Sequence, residues 1–267
     1  MNNNLSEQRK RYLKNIRTNK ILINVTRVLI LLIFLGAWEL FARLEIIDSF
    51  LMSMPSKIVS TIVSLYKTGE LGIHLYTTLY ETVLGFLIAT ALGTLVALVL
   101  WWSDFLRQVL EPYIVVLNSL PKIALGPLII IWFGTGEKAI VTMTVMIGLI
   151  VAILNMLGGF MATDENKLLL LRSMGANKLQ ILLKLVVPSS LPAFISMLKI
   201  NVGMAWIGSI MGEYIVSRAG IGYLIVYGGQ VFKLDLVMAS VLVLCVLAAG
   251  MYAIIAFFER LVVKNSK

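Results

Sequence analysis

Residues 164–191 read DENKLLLLRSMGANKLQILLKLVVPSSL, a polar, net-basic stretch between two apolar runs that are each long enough to cross a bilayer. The stretch has an organisation of its own. An apolar turn runs to Gly175, and Asn177 then opens a second short amphipathic helix. Pro188 is expected to stop that helix, because proline lacks a backbone donor and crowds the preceding turn. Loops between membrane spans are usually short and featureless, so a helix-turn-helix on the charge-rich side predicts a cytosolic partner that docks there.

The flanking composition sets the frame. Of the 267 residues, 59% are hydrophobic and 14% charged, and the mean hydropathy is +0.92. These values lie far from globular averages. A spanning helix needs about 20 mostly apolar residues, and six windows meet or approach this, at 22–44, 77–101, 110–133, 139–160, 191–211 and 236–258. An all-α integral membrane protein of about six transmembrane helices follows. Too little chain lies outside the windows to hold a soluble catalytic domain.

The formal charge of +9 invites a nucleic-acid reading, but its distribution argues otherwise. Lys and Arg near span ends set topology through the positive-inside rule. Arg9, Lys10, Arg11, Lys14, Arg17 and Lys20 crowd the N-terminal tail. With that tail in the cytosol, Arg107, Lys167, Arg172, Lys178, Lys184, Arg260, Lys264 and Lys267 are also inside, and only Lys57, Lys67, Lys138, Arg218 and Lys233 are outside. Fourteen against five predicts N-in, C-in with six crossings and no nucleic-acid partner. The first apolar run exceeds a signal-peptide core and no small-residue cleavage site follows it, so it reads as an uncleaved span. Cys245 is the single cysteine, which excludes a disulfide framework and a thiolate metal site. The segment plan is a basic cytosolic tail over 1–20, a first span and outer amphipathic segment over 21–76, a core of spans over 77–258 that includes the loop 164–191, and a cytosolic tail over 259–267.

Within that plan, Ile58, Ile62, Leu65 and Tyr66 share one side of a short helix after the Ser53–Ser56 turn, and the segment is expected to lie along the membrane surface. Gly85, Ala89, Gly93 and Ala97 fall at strict four-residue spacing on one helix face, and Gly208 and Gly212 form a GxxxG. Small residues on a face let backbones approach, where dispersion replaces the missing hydrophobic drive. Pro121 and Pro127 imply a bent or broken third span. Irregular backbone at membrane depth survives only inside protein or beside water, so 118–127 is expected in the interior of the bundle.

Catalytic readings fail. His74 is the single histidine, so His-dependent zinc and triad motifs are missing, and it reads as an interfacial residue. No GxxxxGK[ST] loop is present, and Gly228-Gly229-Gln230 lies in an outer segment without a nucleotide fold around it. Intramembrane polar residues remain, and such groups usually face a partner or an aqueous path. Asn118, Ser119 and Lys122 at the span-three break, and Asn201, Trp206, Ser209 and Glu213 along span five, are candidates to line a translocation pathway. Lys122 can equally be an anchor, and Lys199 on the same span reads as one.

In the loop, Leu179, Leu182, Leu183 and Val186 share a helical face opposite Gln180 and Lys184. Asn177 with Gln180 forms a capping box, and Gly175 supplies the left-handed residue that ends the helix before it. Periodicity fits docking to a protein and rest on lipid headgroups equally well.

Met174-Gly175-Ala176, with Pro188 thirteen residues after the glycine, resembles the EAA loop of bacterial ABC importer permeases. The resemblance extends from about Met52 to Phe258. It includes Gly85-Phe86, Ser119-Leu120-Pro121 through Ala124-Leu125-Gly126-Pro127, Trp132–Gly136, and Ala219–Leu224, all similar to the nitrate/sulfonate/taurine branch. It departs at Leu169–Leu171, where the family carries Glu-Ala-Ala, and at Glu81, where a basic residue is expected.

The resemblance implies a type I importer fold in the bacterial inner membrane and a homodimer of permease copies. It also implies cytosolic ABC ATPase subunits that bind ATP and Mg, and an extracytoplasmic solute-binding protein. The chain itself would bind no cofactor or metal and would be no enzyme. Arg172, Ser173, Met174, Gly175, Ala176, Asn177, Gln180 and Pro188 would form the ATPase-coupling loop, with Leu179 and Leu182 packing it on the bundle. The implied cargo is a small anion or organic solute such as a sulfonate, nitrate or taurine, or alternatively a thiamine-related pyrimidine. An ATP-independent carrier, an intramembrane enzyme and a structural anchor are the competing classes.

Overall fold

The computed structural model describes residues 7–264. Residues 1–6 of the basic tail and Lys267 lie outside them. In hydrocarbon every backbone donor and acceptor must be satisfied within its own segment, and the described residues are accordingly helical throughout, without a strand. Helix α1 (Glu7–Arg43) begins inside the basic tail, so 7–20 is helical and continuous with the first span. A one-turn helix α2 (Ser49–Met52) and the outer helix α3 (Pro55–Lys67) follow. Helix α3 packs against α12 and α4 and buries Ile58. The surface-lying segment expected from sequence is thus part of the bundle, and Tyr66 points away from it, 76% exposed.

Helix α4 (Glu70–Trp102) starts a full two turns before the apolar window. It ends at Ser103, whose Oγ accepts from Leu106 N at 3.3 Å and so caps α5 (Asp104–Ser119). The third span is broken, as the prolines require. A 3₁₀ turn (Lys122–Leu125) leads into α6 (Gly126–Phe133), and the pair is bent by 87°. The break does not sit in the interior of the protomer. Across 118–127 only Gly126 is buried, under the Ile215 side chain, and α5 buries no residue at all.

The centre is the trio α4, α7 (Glu137–Met161) and α10 (Val187–Val216). The small-residue face of α4 meets α7 in parallel register, with Gly85 against Thr144, Ala89 against Gly148 and Gly93 against Ala152. Helix α10 runs back against α7. A Cβ at Gly208 would stand 2.5 Å from Thr144 Cα, and one at Gly212 would stand 3.0 Å from Ile140 Cα. Gly85, Ala89, Gly93, Gly208 and Gly212 are therefore all packing residues, which lets three backbones close on one another. Helices α11 (Ile221–Gln230) and α12 (Leu234–Lys264) complete the outer side and the edge.

The loop 164–191 departs from expectation at its second half. Helix α8 (Glu165–Ser173) and α9 (Lys178–Ile181) are separate, but α9 does not end at Pro188. A widened π turn (Leu182–Val186) carries it directly into α10, and 178–216 is one continuous span. Proline at 188 offers no N–H and crowds the carbonyl four residues earlier. A π turn shifts the hydrogen-bond ladder by one residue just there, so the helix passes through. The shift also rotates the apolar face. Ile181, Leu182 and Val186 are buried, whereas Leu179 and Leu183 are exposed.

Candidate coupling surface and outer helix clamp

The loop is built from local capping. Asp164 Oδ1 accepts from Asn166 N at 2.8 Å and from Lys167 N at 3.4 Å, which starts α8. The helix ends where Gly175 takes φ +80°, with Met174 N donating to Leu170 O and Ala176 N to Leu171 O, both at 3.0 Å. This is the left-handed C-cap expected of that glycine. Asn177 and Gln180 form the capping box, with Gln180 N donating to Asn177 Oδ1 at 2.8 Å and Asn177 N to Gln180 Oε1 at 2.9 Å.

Lys178, which the sequence reading left without a role, ties the loop to the α4–α5 corner. Its Nζ donates to Trp102 O at 2.5 Å and stands 5.8 and 5.7 Å from the Trp101 and Trp102 ring centres. Beside it, a cavity of about 310 Å³ is lined by Trp101, Phe160, Glu165, Arg172 and Ala176 among others. Two consecutive tryptophans at a span end were the signal available in sequence.

The loop's free face is apolar. Leu169, Leu170 and Met174 are 65%, 60% and 73% exposed, with Leu179 and Leu183 beside them. Arg172, Ser173, Gly175, Asn177 and Gln180 lie on the same exposed surface, and Pro188 is exposed at the start of α10. Leu182 packs inward as expected, but Leu179 does not.

The seven candidate pathway residues separate into two groups. Asn118, Ser119 and Lys122 stay together at the exposed α5–α6 break, where Lys122 Nζ donates to Asn118 O at 3.0 Å and thereby closes the end of α5. Asn201, Trp206, Ser209 and Glu213 are buried on α10 and line no open path within the chain. Three of them form a polar seam with α4. Thr82 Oγ1 donates to Ser209 Oγ at 2.7 Å, and Asn201 Nδ2 donates to Thr90 Oγ1 at 3.2 Å. Hydrogen bonds between spans hold helices together, and that is the work of these side chains. Lys199 is an anchor of a different kind from the one expected, paired with Glu259 of α12 at 2.5 Å.

Glu213 ends the seam by holding α11. An α-helix begins with four backbone N–H groups that lack intrahelical partners. Gly222 N and Tyr223 N donate to Glu213 Oε2 at 2.6 and 3.3 Å. Ile221 N donates to Thr78 Oγ1 at 2.7 Å, and Gly220 N to His74 Nδ1 at 2.9 Å. His74 is therefore a helix cap, stacked on Tyr223 with 6.0 Å between ring centres. Gly220 (φ +116°) and Gly222 are glycines because the Glu213 carboxyl lies where a Cβ would be. The Ala219–Leu224 motif is the binding half of this clamp. His74, Thr78, Thr82 and Thr90, spaced by multiples of four on α4, were its legible half.

Known proteins agree with this architecture. An inward-facing structure of the MetNI methionine ABC transporter superposes with a TM-score of 0.63 at 18% identity, over 71% of this chain and 94% of that one, which establishes the fold. A probable ABC transporter permease protein of Haemophilus influenzae is 31% identical over 84% of this chain and 91% of its own length. The formylaminopyrimidine transport permease protein of Halalkalibacterium halodurans is 32% identical over 73% and 77%. A putative aliphatic sulfonates transport permease protein of Bacillus subtilis is 25% identical over 87% and 84%. Residues 89–265 match the binding-protein-dependent transport system inner membrane component family. With spans, packing trio and loop in place, the chain belongs to that family, as a multi-pass permease component of an ABC importer and not an enzyme.

Proposed function

We propose that two copies of this permease form the translocation pathway and that the loop 164–191 seats each copy on a cytosolic ATPase, with a solute-binding protein delivering cargo on the outer side. The observation that carries the coupling is the exposed apolar face of Leu169, Leu170 and Met174, set on a loop in which both ends of α8 and the start of α9 are capped. Where the family expects Glu-Ala-Ala, docking here depends on shape and apolar contact. The homodimer is supported by the α5–α6 break. Its irregular backbone lies bare on a single chain at membrane depth and requires protein or water as cover. ATP and Mg bind on the partner ATPase, whose closure moves the coupling loops and reverses access.

For cargo, we propose a small anion or organic solute of the sulfonate, nitrate or taurine type. The likeness to the putative aliphatic sulfonates permease of Bacillus subtilis and to a taurine transport system permease protein of Escherichia coli supports this reading. The 32% identity to the formylaminopyrimidine permease favours a second one, a thiamine-related pyrimidine. Growth of a deletion strain on single sulfur or nitrogen sources, and without thiamine precursors, separates them.

Substituting Gly175 by Val tests the coupling. A side chain at 175 meets nothing within 4 Å, so the cost is confined to the left-handed backbone, about 1–2 kcal/mol for a β-branched residue. ATP-dependent uptake into vesicles that contain the ATPase and binding protein is expected to be lost, with membrane insertion unchanged. Full uptake by this variant would remove the loop from the coupling path.

A further inference from the structure

Glu81 and Glu213 form a second chemical feature that the transport reading leaves unused. They project from α4 and α10 at the level where Thr82 bonds Ser209 and where Thr78 and Glu213 hold successive amides of α11, each 1% exposed. Glu213 Oε2 is occupied by the α11 amides. Glu213 Oε1 and Glu81 Oε2 have no hydrogen-bond partner, and the Thr78 hydroxyl is the side-chain donor that faces the Glu213 carboxyl. The ion pairs among the described residues use other carboxylates, and no lysine or arginine reaches either glutamate. Burial within one chain also keeps a second copy from supplying a cation.

Two carboxyl groups buried side by side, each with an acceptor oxygen that has no partner, lack one hydrogen. We propose that Glu81 and Glu213 are a proton-binding site, one proton being shared between Glu81 Oε2 and Glu213 Oε1. The pair then carries a single negative charge. That charge stands at the N-terminus of α11, where the helix dipole and the free amides favour an anion. With the proton in place Glu81 donates to Glu213, and α4, α10 and the start of α11 are held by one continuous hydrogen-bond chain. Without it two carboxylates repel in a low-dielectric site, which costs far more than in water.

The other titratable groups that face the pair sharpen this. Glu137 at the start of α7 adds like charge. Tyr214 lies beside Glu213 on α10, Tyr223 is the third residue of α11, and His74 caps Gly220 one turn outward. None of these supplies a fixed positive charge to replace the proton.

Infrared difference spectroscopy of the purified full-length protein in lipid nanodiscs reads the proton directly. At neutral pH the native protein is expected to show a protonated-carboxyl C=O band that shifts slowly in D₂O because its group is buried. Glu81→Gln and Glu213→Gln should each abolish it, since the amide takes over the donor role and leaves one carboxylate. Thermal unfolding supplies an independent readout. The folded state holds a proton that the unfolded chain releases, so native stability should fall as pH rises, and Glu81→Gln should flatten that slope. Absence of the band in native protein overturns the proposal without any variant. Persistence of the band in either single variant, or equal pH slopes in native and Glu81→Gln, overturns the sharing.

Discussion

At the scale of single residues, the molecule depends on a few positions where no side chain fits. Gly208 is the tightest of them against backbone, lying on Thr144 of α7. Its replacement by Val must part α7 from α10, and overpacking of this kind costs about 1–3 kcal/mol. The expected result is a lowered unfolding temperature in detergent, with Gly203→Val, which meets nothing within 4 Å, as the matched control. Small-residue spacing made this set legible without a structure. Glu213 was legible only as a polar residue on a span, because the α4 residues that face it lie far away in sequence and the amides it holds, nine and ten residues on, reach it only through the turn into α11. The pathway expectation was drawn from its polarity, and within one chain the residue is buried among helix partners. Intramembrane polarity says that a side chain has a partner and leaves open whether that partner is cargo, water or another helix.

Among the elements, the loop and its exit into α10 were read half correctly, and the error has a physical cause. Capping chemistry is local, so Gly175, Asn177 and Gln180 specified their turns from sequence alone, and the Asp164 cap of α8 was legible by the same rule though it was not read. Proline was read as a terminator because the α register was assumed to persist. The π turn at 182–186 changes that register, and with it which leucines face inward. Pro188→Ala removes the reason for the widened turn. The loop is then expected to relax into regular α geometry and to turn by about 100° per residue of register lost. In a background lacking the exposed Cys245, a cysteine placed at 183 should become less reactive to a water-soluble maleimide and one at 182 more so. Unchanged reactivity at both positions would mean that the π turn is held by packing and not by the proline. The break between α5 and α6 shows the complementary case, where Pro121 and Pro127 do interrupt a span and bend it by 87°.

Over the whole molecule, hydropathy marked the five spanning helices and the bent pair that makes a sixth, since span length is set by the bilayer and not by tertiary contacts, and basic-residue bias is the ground for their expected direction. They could not give the covering of each span, and α1, none of whose spanning window is buried, differs in this from α7, half of whose window is. The continuity of 178–216 has a mechanical meaning. One helix of 39 residues, on the order of 60 Å long, starts beside the exposed apolar face of the loop and ends near the carboxyl that grips α11. A Gly-Gly insertion after Ile200 should leave ATP hydrolysis by the assembled complex running while uptake stops; retained uptake would show that the stroke travels by another route. Because the helix stays continuous through its π turn and past Pro192, the proposed coupling would make the membrane interior a fulcrum and this helix a lever: a tilt imposed at the loop end would reappear at the opposite mouth, inverted in direction.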